Sequence, residues 1–142
     1  MSATPGKTQA LNVYHVGTFY ALDLPGYGYA RASKSDRAAF AGLLRHALTR
    51  ARLRGVVWLL DIRHDPSADD RAMQDRLAAA GTRVLAVLTK SDKLPRGPRA
   101  ARARALRATL ALDEDQVLVT SVRTAEGIPD LREAIVALAA GS

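Results

Sequence analysis

Two unbroken apolar runs, Val56-Val57-Trp58-Leu59-Leu60 and Val84-Leu85-Ala86-Val87-Leu88, constrain the fold most. A strand with one wet face alternates apolar and polar residues. A run without alternation predicts a strand covered on both faces, as in a parallel sheet. The stretch between the runs reads as the crossing helix. Ser67 can cap it, Asp69 and Asp70 fall in its first turn, Met73, Leu77 and Ala80 make an apolar face, and Gly81 stops it. A third run, Gln116-Val117-Leu118-Val119-Thr120, follows an Ala/Arg/Leu helix from about Arg99 to Leu112, with Pro95, Gly97 and Pro98 in the loop before that helix. Pro129 opens a last helix through Leu138.

The first third of the chain reads differently. Ser2 to Gln9 is polar and rich in breakers, hence a loop. Leu11 to Val16 alternates, Gly17-Thr18 turns, and Phe19 to Leu22 returns, which predicts an antiparallel hairpin. Asp23 to Ala32 is a loop. Ser33 or Ser35 can cap the helix that carries Asp36 in its first turn and Phe40, Leu43, Leu44 and Leu48 on one face, with Arg45, Arg50 and Arg52 towards its end. Gly55 breaks it. The expected fold is α/β: a mostly parallel sheet between two layers of helices, with an antiparallel hairpin at its N-terminal edge. With 142 residues, the chain is expected to form a single domain spanning 1–142.

Composition excludes some functions. There is no cysteine, so neither a disulfide nor a thiolate metal site is possible. No run of about 18 apolar residues suits a membrane helix, and the N-terminus lacks the apolar core of a signal peptide, so a cytoplasmic location without membrane partners is expected. The net charge of +7, mostly arginine, favours phosphate-rich partners such as nucleotides or RNA.

Three polar loops stand at predicted strand ends: Asp23-Leu24-Pro25-Gly26, Thr89-Lys90-Ser91-Asp92 and Thr120-Ser121-Val122. Ligands of open α/β sheets bind outside the carboxyl ends of the strands. A carboxylate at Asp23 can hold a metal through water, and the Gly26 amide can approach an anionic oxygen with no Cβ in the way. A Gly/Pro turn capped by an Asp is the plainer alternative. T-K-S-D has the form of the guanine reader N/T-K-x-D. Asp92 can accept from both N1–H and N2–H of guanine; adenine has no such donor pair and leaves the charge unpaired. Lys90 can lay its aliphatic stem along the base. The backbone near Ser121 and Val122 can offer N–H groups to the guanine carbonyl. The plainer alternative for Asp92 is a helix-entry cap.

T-P-G-K-T-Q at 4–9, D-L-P-G-Y-G-Y-A at 23–30, D-I-R-H at 61–64 and T-K-S-D-K at 89–93 resemble the EngB (YihA/YsxC) family of P-loop GTPases over essentially the whole chain. The resemblance implies a small GTPase G domain that binds GTP or GDP with Mg²⁺, acts in assembly of the large ribosomal subunit, and is needed for normal cell division and septation. It implies nucleotide contacts from Gly6, Lys7, Thr8, Gln9, Asp23, Leu24, Pro25, Gly26, Thr89, Lys90, Ser91, Asp92, Thr120, Ser121 and Val122. Thr8 would ligate Mg²⁺, Asp23 would hold it through water, and Gly26 would contact the γ-phosphate. The resemblance gives D-I-R-H no physical role beyond positioning the strand end.

The chain departs from that family at its start. The central first strand, the G-x-x-x-x-G-K-[ST] phosphate loop and the first helix are absent: Gly6-Lys7-Thr8 would need Gly at position 1, which is Met1. The loop would supply the amide cradle and phosphate lysine, so weak or absent GTP binding is expected. In the sheet order the resemblance implies, 2-3-1-4-5-6, the missing strand lies between Phe19–Leu22 and Val56–Leu60. A late start codon or truncated gene would account for it. Tyr27 stands where many GTPases carry the water-orienting Gln, so no catalytic residue is assigned. A basic RNA- or ribosome-binding module that does not use nucleotide, or a non-functional remnant, are the alternatives.

Overall fold

The computed structural model describes residues 12–24 and 33–141. They fall into two compact units, one within Met1–Leu53 and Ser67–Ala80, the other within Arg54–Pro66 and Gly81–Ser142. Among the described residues the strands hydrogen-bond as two sheets, an antiparallel hairpin and a parallel trio.

The first unit holds the hairpin and two helices. Strands β1 (Asn12–Val16) and β2 (Phe19–Asp23) pair from Asn12 with Asp23 to Val16 with Phe19. The turn between them places Gly17 at φ +56°, where a side chain would be strained. The His15 and Tyr20 rings stack across the pair, centroids 4.8 Å apart. Helix α1 (Lys34–Leu48) starts on a capping box. Ser33 Oγ accepts the Asp36 N–H at 3.0 Å, and Asp36 accepts the Ser33 N–H at 3.3 Å. Ser33, not Ser35, is therefore the cap. Arg50 and Arg52 lie beyond the helix. Helix α2 (Ala68–Ala79) repeats the device: Asp70 N–H donates to Ser67 Oγ at 3.0 Å and Ser67 N–H to Asp70 at 2.9 Å. Leu44 and Ala47 of α1 and Met73 and Leu77 of α2 are buried.

The second unit is built on the two apolar runs. Strands β3 (Val56–Asp61), β4 (Val84–Thr89) and β5 (Val117–Val119) are parallel, with β4 in the middle. Leu85, Ala86, Val87 and Leu88 are all buried, so β4 is covered on both faces as its sequence predicts. β3 is not. Trp58 and Leu60 are buried, but Val57 and Leu59 are 36% and 38% exposed. Among the described residues β3 pairs with β4 alone, and such an edge strand is covered less completely than the middle one.

Helix α3 (Arg96–Thr109) begins earlier than its sequence suggests and takes Gly97 and Pro98 out of the expected loop. The first amides of a helix have no intrahelical acceptor, so Pro98 forfeits no bond there. Leu106 and Leu110 anchor its end in the core. Gln116 closes a short 3-10 turn and Thr120 lies past the end of β5, which shortens that strand from both sides. Helix α4 (Ile128–Ala139) follows Gly127, with Pro129 at its second position. Its Leu138 seats over Gly55, where a Cβ would come within 2.5 Å of Leu138 Cδ1.

Candidate functional site

The three strands of the second unit deliver their loops to one end. Asp61 and Thr89 are register partners at the ends of β3 and β4. The Ile62 N–H then donates to Thr89 O at 3.1 Å, Thr120 N–H to Leu88 O at 2.8 Å, and Ser91 N–H to Thr120 O at 3.1 Å. The D-I-R-H, T-K-S-D and T-S-V segments are thus laced together by main chain.

Their side chains sort into two layers. The inner layer is buried: Ser91, Thr120 and Ser121 are 0%, 3% and 0% exposed. Thr120 Oγ1 donates to Leu88 O at 3.2 Å, and Thr89 Oγ1 to Leu60 O at 3.3 Å. Both threonine hydroxyls bind main chain and fix the strand ends. Ser91 Oγ donates to Glu126, and the Ser121 N–H donates to Glu126 O at 3.0 Å. Arg99 of α3 grips both Glu126 carboxylate oxygens at 3.1 Å and the Leu94 carbonyl at 2.8 Å. Glu126 therefore joins the T-K-S-D loop to the T-S-V loop.

The outer layer carries the groups that can meet a ligand. Asp92 Oδ1 accepts the Ser121 hydroxyl at 2.7 Å. That bond, followed by the charges of Lys93 and Arg123, holds the Asp92 carboxyl below the usual range, so it stays an acceptor. Each carboxylate oxygen accepts two bonds, so the serine leaves capacity for two base N–H donors. Lys90 adopts the left-handed region at φ +61°, which costs an L-residue ~1 kcal/mol or more. Val122 is 92% exposed. With the Ser121 amide held by Glu126, the expected N–H donor for a base carbonyl narrows to Val122.

D-I-R-H sits against this loop. Arg63 makes a two-pronged pair with Asp61, Nε to Oδ1 at 3.0 Å and Nη2 to Oδ2 at 2.7 Å, and its own N–H donates to Oδ1 at 2.9 Å. Chiefly through Arg63, the Asp61 carboxyl lies well below the usual carboxylate range. Arg63 is raised in turn by Asp61 and, at longer range, by the charge of Asp92. Lys90 Nζ stands 3.6 Å and His64 Nε2 3.8 Å from Asp61 Oδ2. Arg102 of α3 fixes the segment from below, donating to Ile62 O and to Asp65, both at 2.8 Å.

The structure thus brings together Thr89, Lys90, Ser91, Asp92, Thr120, Ser121 and Val122. Asp23, the last residue of β2, and Leu24 after it belong to the other unit. Gly6, Lys7, Thr8, Gln9, Pro25 and Gly26 lie outside the described residues. Among the described residues no three His, Cys, Asp or Glu converge as a metal centre, and no helix is long and apolar enough to cross a membrane. Sequence reasoning missed Glu126 and Arg99. Neither stands in a recognisable motif, and they meet only because α3 packs beside the T-S-V loop.

This is the G-domain fold of the small GTPases. A solved probable GTP-binding protein engB overlays with a TM-score of 0.77 over 95% of this chain and 86% of that one, at 12% identity, a likeness of fold alone. No family model matches the chain. Relatives at the sequence level are closer. The probable GTP-binding protein EngB of Gemmatimonas aurantiaca is 44% identical over 142 residues, covering 99% of this chain and 70% of that protein. That of Syntrophomonas wolfei is 42% identical over 139 residues, covering 96% and 72%. The chain belongs to the EngB family of GTP-binding proteins.

Proposed function

We propose that the chain selects guanine through Asp92 and binds GTP and GDP, weakly for want of the amide cradle and lysine of a G-x-x-x-x-G-K-[ST] loop. The observation that carries this is the Ser121–Asp92 hydrogen bond of 2.7 Å. It keeps an ionised acceptor at the carboxyl end of a parallel sheet, where open α/β sheets bind their ligands. Lys90 lies under the base, Val122 faces its carbonyl, and Ser91, Thr120 and Glu126 hold the two loops in register. Gly6, Lys7, Thr8, Gln9 and the Asp23–Gly26 loop are assigned to the phosphates. Thr8 and Asp23 suit Mg²⁺, which takes hard oxygen donors and is commonly shared between one or two carboxylates and substrate phosphates. The bound ion would neutralise phosphate charge. Asp23 ends a strand, at the carboxyl side where open α/β sheets bind their ligands.

Substituting Asp92→Asn tests the base reading. Asn offers one acceptor and one donor, which suits xanthine, whose C2 carries a carbonyl. Calorimetry with GDP, XDP and ADP should show GDP preferred over ADP in the wild type, and in the variant a loss of at least ~10-fold for GDP with a gain for XDP. Because the phosphate contacts lie on other segments, the order of affinities is the readout. Equal affinity for GDP and ADP in the wild type defeats the reading.

By the same reading the chain serves assembly of the large ribosomal subunit in the cytoplasm, and through it cell division and septation. Its support is the charge of +7 and the composition of α3, which has no acidic residue and carries Arg96, Arg104 and Arg107 besides Arg99 and Arg102, whose guanidinium groups are engaged within the second unit. Binding to purified large subunits should weaken steeply with salt and respond to GTP against GDP. Salt-dependent binding indifferent to nucleotide would instead favour a plain RNA-binding module.

A further inference from the structure

D-I-R-H is the motif to which neither the sequence nor the proposed nucleotide contacts give a task. We infer that Asp61 and Arg63 are positioning residues for the base site: Asp61 holds the Lys90 ammonium, and Arg63 holds Asp61. This rests on the reading of Lys90 and Asp92 as the guanine-binding loop.

The problem they solve belongs to lysine. Its side chain has four rotatable bonds, and the Lys90 side chain is 58% exposed. A free lysine there would populate many rotamers, and ordering it under a base would subtract from affinity. Lys90 is not free, since its Nζ lies 3.6 Å from Asp61 Oδ2. Asp61 is a good anchor because its own side chain is held. It is the register partner of Thr89, the residue before Lys90. Its side chain is only 21% exposed, and three N–H groups of Arg63 bind it at 2.7–3.0 Å. Arg102 secures the main chain between them through Ile62 O.

An ion pair this exposed contributes little to stability. What it does fix is direction. The backbone turns through the left-handed region at Lys90 while the ammonium is held near Asp61 at the β3 end, so both ends of the aliphatic stem are constrained. His64 Nε2 also approaches Asp61 Oδ2, at 3.8 Å, but its side chain is 70% exposed.

The test is a double-mutant cycle on the full chain with a fluorescent GDP analogue, competed by unlabelled GDP. Asp61→Asn should weaken GDP binding about five- to tenfold, as should Arg63→Gln. In a Lys90→Met background, which keeps the stem and removes the ammonium, Asp61→Asn should have no further effect. A purely structural role for Asp61 would instead give the same loss in both backgrounds, and that result overturns the inference, as does no loss at all. Thermal midpoints establish that each variant is folded. If Asp61→Asn does not fold, Asp61→Glu keeps the charge and moves it by one methylene, with the same expected dependence on Lys90. If the wild type does not prefer GDP to ADP, the base reading itself fails. If it does and the cycle is additive, only the positioning role fails.

Discussion

Asp61 shows at the residue scale how a surface acid gains a defined task. Its pairing with Arg63 holds its carboxyl below the ordinary value of 3.8 in the folded state. A lowered folded-state pKa contributes stability that is present above the ordinary value and lost as pH falls below it. Stability of the wild type and of Asp61→Asn should therefore differ by a constant amount from about pH 7 to about pH 5 and converge as pH drops below about 4. Urea midpoints across that range measure it; a gap that widens in acid contradicts the pairing. The motif was visible in the sequence, but its partner was not. Asp61 and Lys90 are 29 residues apart, and only the β3–β4 register makes them neighbours. The reverse holds for Asp92, whose proposed role follows from the chemistry of guanine once the loop is recognised; the Ser121 hydroxyl that it accepts was not legible, since the sequence offered only that residue's backbone. Glu126 was illegible because a carboxylate before a glycine is ordinary. Gly127 itself is decisive: at φ +71°, with Val119 O 2.0 Å from where a Cβ would sit, it admits no side chain. Gly127→Ala should lower stability by well over ~1 kcal/mol and loosen the T-S-V loop beside it.

At the scale of elements, periodicity and caps carried most of the reading. Ser33 and Ser67 each stand three residues before an aspartate, and both form reciprocal capping boxes. Ser67→Ala should cost ~1 kcal/mol in denaturant unfolding, since it leaves the Asp70 N–H without its acceptor; a change near zero would mean that water replaces the cap without loss. The readings that moved share a cause. Pro95, Gly97 and Pro98 look like breakers, yet a helix N-terminus is the one place where a missing amide forfeits nothing, so α3 starts at Arg96. Likewise the unbroken Val56–Leu60 run predicts burial on both faces, but covering depends on a strand's place in its sheet, which local sequence does not specify. β4, with neighbours on both edges, fulfils the same pattern.

For the whole molecule, the decisive contrast is between its two sheets. The parallel trio joins residues distant in sequence around a middle strand whose Leu85 to Leu88 are buried, so its hydrogen bonds break only when much else breaks. The hairpin is a local structure. All five residues of β1 are exposed, as are Tyr20 and Ala21 of β2, so little apolar surface leaves water when the two strands pair. A two-stranded hairpin is marginal in water without a face to pack. Sequence alternation predicted the hairpin correctly and said nothing of this, because alternation marks which face could be covered, not whether anything covers it. Hydrogen exchange read by mass spectrometry should resolve the difference. Amides of β4 should exchange at the rate set by global unfolding, and those of β1 and β2 at least ~100-fold faster, the equivalent of ~3 kcal/mol between local and global opening. The Thr89–Asp92 and Thr120–Val122 loops, laced to β4 through Thr120 N–H and Ser91 N–H, should follow the slow class at those two amides. On the proposed base site, adding GDP should slow exchange first around Asp92. Equal protection in the hairpin and in β4 would show that the molecule opens as one cooperative body, and that the exposure of β1 does not govern its stability.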